Sequence, residues 1–114
     1  MTTQLNILIL TLVSGEEVIA NVKKHTEMVN EQPVEVCYNL VYPFKMREQS
    51  VDENGQKTVV FSPWKEYSGD TQFLLGYDYV MNMCAPLPNV LNSYKDAVNF
   101  FIETLNERAK NNDL

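Results

Sequence analysis

Residues 10–18 read Leu-Thr-Leu-Val-Ser-Gly-Glu-Glu-Val: an apolar, strand-like run enters a tight polar turn, and a second strand begins. Gly15 lies in that turn, where the backbone needs the positive φ that glycine adopts without steric cost. A second strand-turn stretch, Phe-Leu-Leu-Gly-Tyr-Asp-Tyr-Val, occupies residues 73–80. Only strand-like segments lie between the two stretches and one helix follows them, so their order predicts a small, strongly bent β-barrel.

Five strands are expected from apolar, β-branched and aromatic runs that end at turn residues. They cover residues 5–13, 17–22, 34–44, 58–61 and 72–84. The last strand is expected to bend at Gly76. Residues 23–32 and 46–57 are polar and are predicted to be loops, with Asn54-Gly55 as a hairpin turn in the second of them.

A helix is predicted after the strands, because apolar residues recur there at spacings of three and four. The apolar stripe consists of Val90, Leu91, Tyr94, Ala97, Val98, Phe101, Ile102 and Leu105. A helix of this length is marginal in water by itself, so the stripe should pack on the barrel. The fold class expected for the single domain 1–114 is all-β, a strongly bent five-stranded antiparallel barrel over residues 5–85 with a C-terminal α-helix over residues 88–110.

Composition limits the classes of function. The chain has 114 residues, 45% of them hydrophobic, which is enough for a core without disulfides or metal. Its net charge of −6 repels phosphate backbones, so nucleic-acid binding needs a local basic patch or an aromatic platform. Cys37 and Cys84 belong to no CxxC motif or Cys/His cluster, so we expect no metal and no cofactor. Two free, buried thiols are expected, with a disulfide as the alternative.

The N-terminal segment has no features of a targeting or membrane-spanning element. Residues 1–4 lack the basic region of a signal peptide, and the apolar run over residues 7–13 is too short to cross a bilayer. We therefore expect a cytoplasmic protein without a membrane partner.

The order of these motifs resembles that of the Sm/LSm proteins, small SH3-type barrels that close into rings. Gly15 matches the turn glycine of that family's opening motif, and Ala20 lies where the family often has a glycine at the bend of its second strand. Residues 73–76 are similar to the closing motif between the fourth and fifth strands. The resemblance covers roughly residues 5–105, and it depends on the order and spacing of short motifs.

The Sm-like proteins of marine bacteriophages are a closer match. They share the Ser-Gly-Glu-Glu turn, a third-strand entry like residues 30–33 and a segment like residues 62–64. They also end in a proline-led C-terminal helix. The resemblance to these proteins implies phage origin and, with it, a location in the host cytoplasm.

The resemblance also points to candidate RNA contacts. RNA-binding Sm proteins hold a uridine at the pore with an Asp and an Asn from the loop after strand two and with the basic residue of the closing motif. The corresponding candidates here are His25, Asn30, Leu75 and Gly76, of which only Asn30 matches in type. Because Leu75 replaces the basic residue, uridine-specific binding at a pore is expected to be weak or missing.

Subunit contacts are expected at the strand edges, because an open barrel leaves an apolar edge that is a liability unless covered. Head-to-tail pairing covers every edge when the rotation closes. The expected interface joins residues 59–61 of one subunit to residues 73–80 of the next. Its candidate residues are Val59, Val60, Phe61, Phe73, Leu74 and Leu75.

Catalytic chemistry has little support. His25 is the only histidine, and no Ser or Cys nucleophile motif accompanies it. Glu16 and Glu17 are adjacent, so on a strand they point to opposite faces and form no acid/base pair.

Aromatic and basic residues leave two alternatives open. Tyr38, Tyr42 and Phe44 share strand parity and are expected on one face, where they either pack or stack single-stranded bases. Packing is favoured, since aromatic side chains usually serve burial. Lys23-Lys24 and Lys45/Arg47 are closely spaced basic pairs, and each is a weak nucleic-acid signal.

The first functional interpretation is a non-enzymatic, homo-oligomeric ring of unspecified size that acts as a scaffold or regulatory interaction protein, with a protein partner. The alternative is a ring that binds single-stranded RNA. A small hydrolase is a distant third, because no catalytic constellation is present.

Overall fold

The computed structural model describes residues 6–55 and 57–111, apart from the side chains of Gln49, Lys110 and Asn111. The elements are β1 (Ile7–Leu12), β2 (Glu17–Val29), β3 (Gln32–Val51), β4 (Lys57–Pro63), β5 (Gln72–Leu75), a 3-10 helix (Tyr77–Tyr79), β6 (Val80–Cys84) and α1 (Pro88–Asn111). The strands form one curled antiparallel sheet in the order β4-β3-β2-β1-β6, with β5 also paired to β3. The mostly β fold with one C-terminal helix is thus confirmed.

The described chain contains six strands where five were predicted, because the segment 72–84 is divided. The expected bend at Gly76 is a complete break: β5 ends just before it, and the 3-10 helix then leads into β6. The two halves pair with different strands, β5 with β3 and β6 with β1. Residues 72–84 therefore connect one part of the sheet with its far end.

Strands β4 and β5 lie on the same side of β3. Residues 57–63 pair with residues 51–44, and residues 72–75 pair with residues 41–38, so the two strands follow one another along β3. Residues 64–71 leave the sheet between them and return to it. We call residues 64–71 the excursion.

Both predicted polar loops are mostly strand. Strand β2 continues to Val29 and β3 starts at Gln32, joined by Asn30 and Glu31 at φ of 53° and 67°, the conformation of a type I′ hairpin turn. An ion pair of 3.4 Å joins Lys24 on β2 to Glu35 on β3 across these solvated strands. Such cross-strand pairs stabilise a sheet that has few apolar contacts.

Most of the second predicted loop, residues 46–57, is strand, and only its turn lies outside the strands. Strand β3 extends to Val51 and β4 begins at Lys57, so only residues 52–56 lie between them. Gly55 has φ of 78° and donates its N–H to the Asp52 carbonyl at 3.0 Å. The hairpin turn predicted at Asn54-Gly55 is therefore confirmed, with longer strands on both sides of it.

A bulge bends β3 opposite Ala20. Ile19 pairs with Phe44 while Asn21 pairs with Val41, so one residue of β2 faces two residues of β3. Tyr42, the first of those two, has φ of 50°, a left-handed conformation that is rare for an aromatic residue. The bulge shifts the alternation of side chains in the rest of β3.

This shift corrects the prediction that three aromatic residues share a face. Tyr38 packs against the cluster inside the curl, whereas Tyr42 and Phe44 belong to the cluster on the outer face. The parity rule assumed regular pairing, and the bulge breaks it between the two groups. Packing remains the role of all three side chains.

The sheet is buried on both faces. The inner cluster contains Leu10, Leu12, Val18, Ala20, Val22 and Leu40. The outer cluster contains Ile19, Phe44 and Tyr94, with Val90, Ala97, Val98 and Phe101 of α1 packed around them. The helix therefore covers the convex face, which confirms the predicted packing of its apolar stripe.

The two cysteines differ in their exposure. Cys37 is half-buried and Cys84 is exposed, both as free thiols, so the expectation of two buried thiols is wrong for Cys84.

Over the described ranges, no helix has the length and apolar character needed to cross a membrane.

Candidate functional site

The two ends of the sheet are the first candidate surface. Strand β4 closes one end and β6 the other, and within residues 6–55 and 57–111 no strand pairs with the outer edge of either. Strand β6 reads Val-Met-Asn-Met-Cys, with no charged residue and no proline. Met81 and Met83 are exposed on it. An apolar edge without lysine or proline lacks the usual protection against pairing with another chain.

The predicted interface residues lie on a single edge. Val59, Val60 and Phe61 are on β4, and residues 73–75 are on β5. Because both strands pair with the same side of β3, their free edges belong to one margin of the sheet. The opposite margin is β6, of which the predicted segment 73–80 includes only Val80.

The predicted RNA contacts are spread along the sheet. Leu75 is half-buried against the inner cluster and pairs with Tyr38, and Gly76 directly precedes the 3-10 helix. His25 pairs with Cys37 one position further along β3. Asn30 lies at the tip of the β2–β3 hairpin, five residues beyond His25, or about 16 Å at the usual strand rise.

The placement of these four residues separates Asn30 from the other three. Leu75 presents no polar group, and its partly buried side chain helps to close the inner cluster. The sequence-based RNA candidates therefore do not form one pocket within a subunit.

His25 forms one local contact. Its Nε2 lies 3.4 Å from Oε1 of Glu27, which is two residues away on the same strand. Both side chains are at the surface, in a hairpin where salt and water weaken such a pair. Among the described residues, no group of three His, Cys, Asp or Glu side chains is arranged to hold a metal ion.

The excursion forms a second candidate surface that the sequence-based interpretation missed. Its ends are fixed to the bulge: the Trp64 N–H donates to the Pro43 carbonyl at 2.9 Å, and the Tyr42 N–H donates to the Thr71 carbonyl at 2.7 Å. Between these anchors, Tyr67 is fully exposed. The available signal was the run Trp-Lys-Glu-Tyr at residues 64–67, which follows a strand and carries two aromatic residues and a lysine.

Basic side chains lie next to the excursion. Lys45 and Arg47 are two residues apart on β3 and so face the same side of the sheet, opposite Ser62 and Val60 of β4. The Lys45 Nζ lies 3.1 Å from Oε1 of Glu66. The weak pair Lys45/Arg47 noted in the sequence thus belongs to a larger group once the excursion returns to the sheet.

A cleft between α1 and the sheet is the third candidate. It has a volume of about 350 Å³ and is lined mainly by apolar groups, together with Asn21, Lys95 and Asn99. These polar residues include no nucleophile paired with a base, which is the arrangement that covalent catalysis requires. The cleft is therefore a cavity whose lining residues form no catalytic arrangement.

Tyr94 fixes the helix to the strained bulge beside this cleft. The side chain is only 2% exposed. Its hydroxyl donates to the Tyr42 carbonyl at 2.7 Å, next to the left-handed residue of the bulge. Burial raises the pKa of the Tyr94 phenol well above its usual range. A hydrogen bond at this position holds α1 and the bulge together.

We expect Tyr94 to make the protein sensitive to alkali. Because its pKa is higher in the folded than in the unfolded state, its contribution is complete below about pH 10 and is lost as the pH rises above that value. The loss approaches about 1.4 kcal/mol per pH unit. Tyr94→Phe should remove this slope while costing about 1–3 kcal/mol at neutral pH. Urea unfolding at about pH 8 and about pH 11 measures both; an equal alkaline loss in the variant contradicts this assignment.

No family model matches this sequence, and no curated protein shows significant similarity to it.

Proposed function

We propose that this protein is a non-enzymatic, Sm-like module that assembles head-to-tail into a closed ring, in which β4 of one subunit pairs with β6 of the next. The observation that carries the proposal is the sheet order, which ends in two different strands whose outer edges are unpaired over the described residues. An interface between two different edges is heterologous and produces a ring when the rotation closes.

The composition of the two edges supports this pairing. Strand β4 contributes the run Val59-Val60-Phe61, and β6 contributes Met81 and Met83 without any charge between them. Main-chain hydrogen bonds across such a junction would satisfy the N–H and C=O groups that now face outward. The apolar side chains on both strands would lose contact with water at the same time.

The proposed partner of β4 differs from the one expected from the sequence: it is β6 and not residues 73–80 as a whole. Residues 73–75 share an edge with residues 59–61, so pairing between these two segments would join like edges and stop at a dimer. Strand β6 is the complementary edge. Its first residue, Val80, ends the segment expected from the sequence, and the strand continues to Cys84.

The resemblance to Sm-like proteins supports the same assembly. The turn at Ser14-Gly15 joins β1 to β2, and Gly15 has φ of 93°, the conformation that the opening motif needs. The closing motif at residues 73–76 includes most of β5, which pairs with β3, and ends at Gly76, where the connection to β6 on β1 begins. Phage origin and a role as a scaffold or regulatory partner belong to this proposal.

Size-exclusion chromatography with light scattering tests the proposal. At micromolar concentration we expect one discrete mass of at least three protomers that does not grow with concentration, because a closed ring has no free edges. A monomer would contradict any edge pairing. A dimer would indicate pairing of like edges, and a mass that rises steadily with concentration would indicate an open filament.

A further inference from the structure

We propose that the cleft between α1 and the sheet binds a small monocarboxylate with an apolar body. Lys95 holds the carboxylate at the mouth of the cleft, and the body lies on the apolar floor. The inference does not depend on ring formation, because the lining residues belong to β1, β2, β3 and α1 of one subunit. Among the described residues, those of the edge strands β4 and β6 are not part of the lining.

The floor of the cleft is apolar. Its side chains are Ile7 from β1, Val41 and Tyr42 from β3, and Tyr94 and Val98 from α1. Tyr94 is buried and the others are half-buried, so an apolar ligand would remove much of their remaining surface from water. The volume of about 350 Å³ is at the lower end of the range for small-molecule sites. The cleft therefore fits a compact apolar body.

Three polar side chains complete the lining. Lys95 and Asn99 are four residues apart on α1, so they are neighbours on one side of the helix, and both are exposed. Asn21 lines the cleft from β2 and is half-buried. Its Oδ1 accepts the N–H of Asn6 at 3.3 Å, which leaves the Nδ2 donors for a ligand. The lining thus offers one ammonium and two amides to an acceptor group.

The charge of the lining selects an anion. The whole chain has 15 acidic residues against 9 basic ones, but the described lining contains one lysine and no carboxylate. Among the side chains that the structure describes, Lys95 forms no ion pair. An external carboxylate would gain charge-assisted hydrogen bonds from this ammonium. A phosphomonoester carries about −1.5 to −2 charges at pH 7, which one lysine cannot balance.

The backbone of the floor is a second, independent observation. Tyr42 has φ of 50°, which is rare for an aromatic residue, and its side chain lines the cleft. Strained residues persist only where the surrounding structure holds them, and they concentrate at ligand sites. Here the Tyr94 hydroxyl donates to the Tyr42 carbonyl at 2.7 Å, and the Tyr42 N–H donates to the Thr71 carbonyl at 2.7 Å. The floor is therefore fixed before a ligand arrives, which reduces the entropic cost of binding.

Octanoate is the probe, since it joins one carboxylate to a compact alkyl chain. Octanol and octylammonium are matched ligands, because they keep the chain and remove or reverse the charge. Isothermal titration calorimetry of the wild-type protein at low salt should give a dissociation constant for octanoate of about 0.1–1 mM, as expected for a ligand of this size. Octanol should bind about three- to ten-fold more weakly, and octylammonium should give no measurable heat.

Substitutions at Lys95 assign the carboxylate to this cleft. Lys95→Met removes the charge at nearly constant length and should weaken octanoate binding about three- to ten-fold, with octanol binding unchanged. Lys95→Arg keeps the charge and should retain most of the affinity for octanoate. Lys57→Met is the matched control: it removes the same charge from a lysine outside the cleft, paired with Glu48 at 3.4 Å, and should change neither affinity.

Amide spectra locate the bound ligand. In isotope-labelled wild-type protein, octanoate should shift the side-chain amide signals of Asn21 and Asn99, which line the cleft from the sheet and from the helix. The backbone signal of Tyr42 on the floor should move with them. The signal of Asn30, at the tip of the β2–β3 hairpin, should stay in place.

Three results would overturn the proposal. The first is no heat and no shift of the Asn21 and Asn99 signals at about 10 mM octanoate, well above the expected dissociation constant. The second is octanol or octylammonium binding as tightly as octanoate, which would show that Lys95 selects no anion. The third is equal loss of octanoate affinity in Lys95→Met and Lys57→Met, which would show only a diffuse charge effect. Light scattering on the same samples reports the oligomeric state separately.

Discussion

Replacing Phe101 with alanine is expected to lower the free energy of unfolding by about 3 kcal/mol, within the range for core aromatic residues. The side chain packs between the helix and the sheet, with its ring centre 5.6 Å from that of Phe44 and 6.3 Å from that of Tyr42. Removing it opens a cavity between α1 and the outer cluster. Because the helix is marginal without this packing, much of its C-terminal half should lose order as well.

The neighbouring residue provides the control. Phe100 is 73% exposed on α1, so Phe100→Ala should change the free energy of unfolding by less than about 0.5 kcal/mol. Urea unfolding of both variants at one protein concentration, followed by circular dichroism, compares them. Equal effects of the two substitutions would show that α1 does not pack as the outer cluster requires.

The second large effect is expected at the edge of β6. Met83 pairs with Leu10 and shares its inner face, so Met83→Lys places an inward-pointing charge on an edge strand, a recognised protection against edge pairing. We expect the proposed ring to dissociate into folded monomers, measured by light scattering and circular dichroism. Met28→Lys makes the same chemical change on an exposed side chain near the tip of the β2–β3 hairpin and should leave the mass unchanged. A ring that survives Met83→Lys would exclude β6 from the interface.

Local patterns in the sequence were sufficient to predict the turn between β1 and β2, the C-terminal helix and the class of fold. The Ser14-Gly15 turn and the apolar stripe of α1 each depend on residues within one or two turns of chain, so their signals are complete locally.

The sequence did not predict the extended parts of β2 and β3, because apolar periodicity marks only strands that have a buried face. Strands β2 and β3 continue past the core as a hairpin with charged and polar side chains on both faces, and such strands show no apolar alternation. Their pairing depends on the turn at Asn30-Glu31 and on cross-strand contacts such as Lys24 with Glu35.

The candidate surfaces could be predicted only in part, for a physical reason. The apolar run on β4 is visible in the sequence, but which edge faces it depends on the division of residues 72–84 between β3 and β1. The surface at the excursion needs the bulge at Tyr42, where residue 71 returns to the sheet beside residue 42. Long-range pairing of this kind leaves no signature within a short window of sequence.

Mixing two edge-blocked variants tests the head-to-tail pairing most directly. Val59→Lys blocks β4 but keeps β6 intact, and its lysine faces Glu48 across the β3–β4 pair, so the subunit should still fold. Met83→Lys blocks β6 but keeps β4 intact. Each variant alone should be monomeric by light scattering, and an equimolar mixture should give a dimer containing one of each and nothing larger. A mixture that stays monomeric, or either variant forming the wild-type oligomer alone, would contradict pairing between β4 and β6.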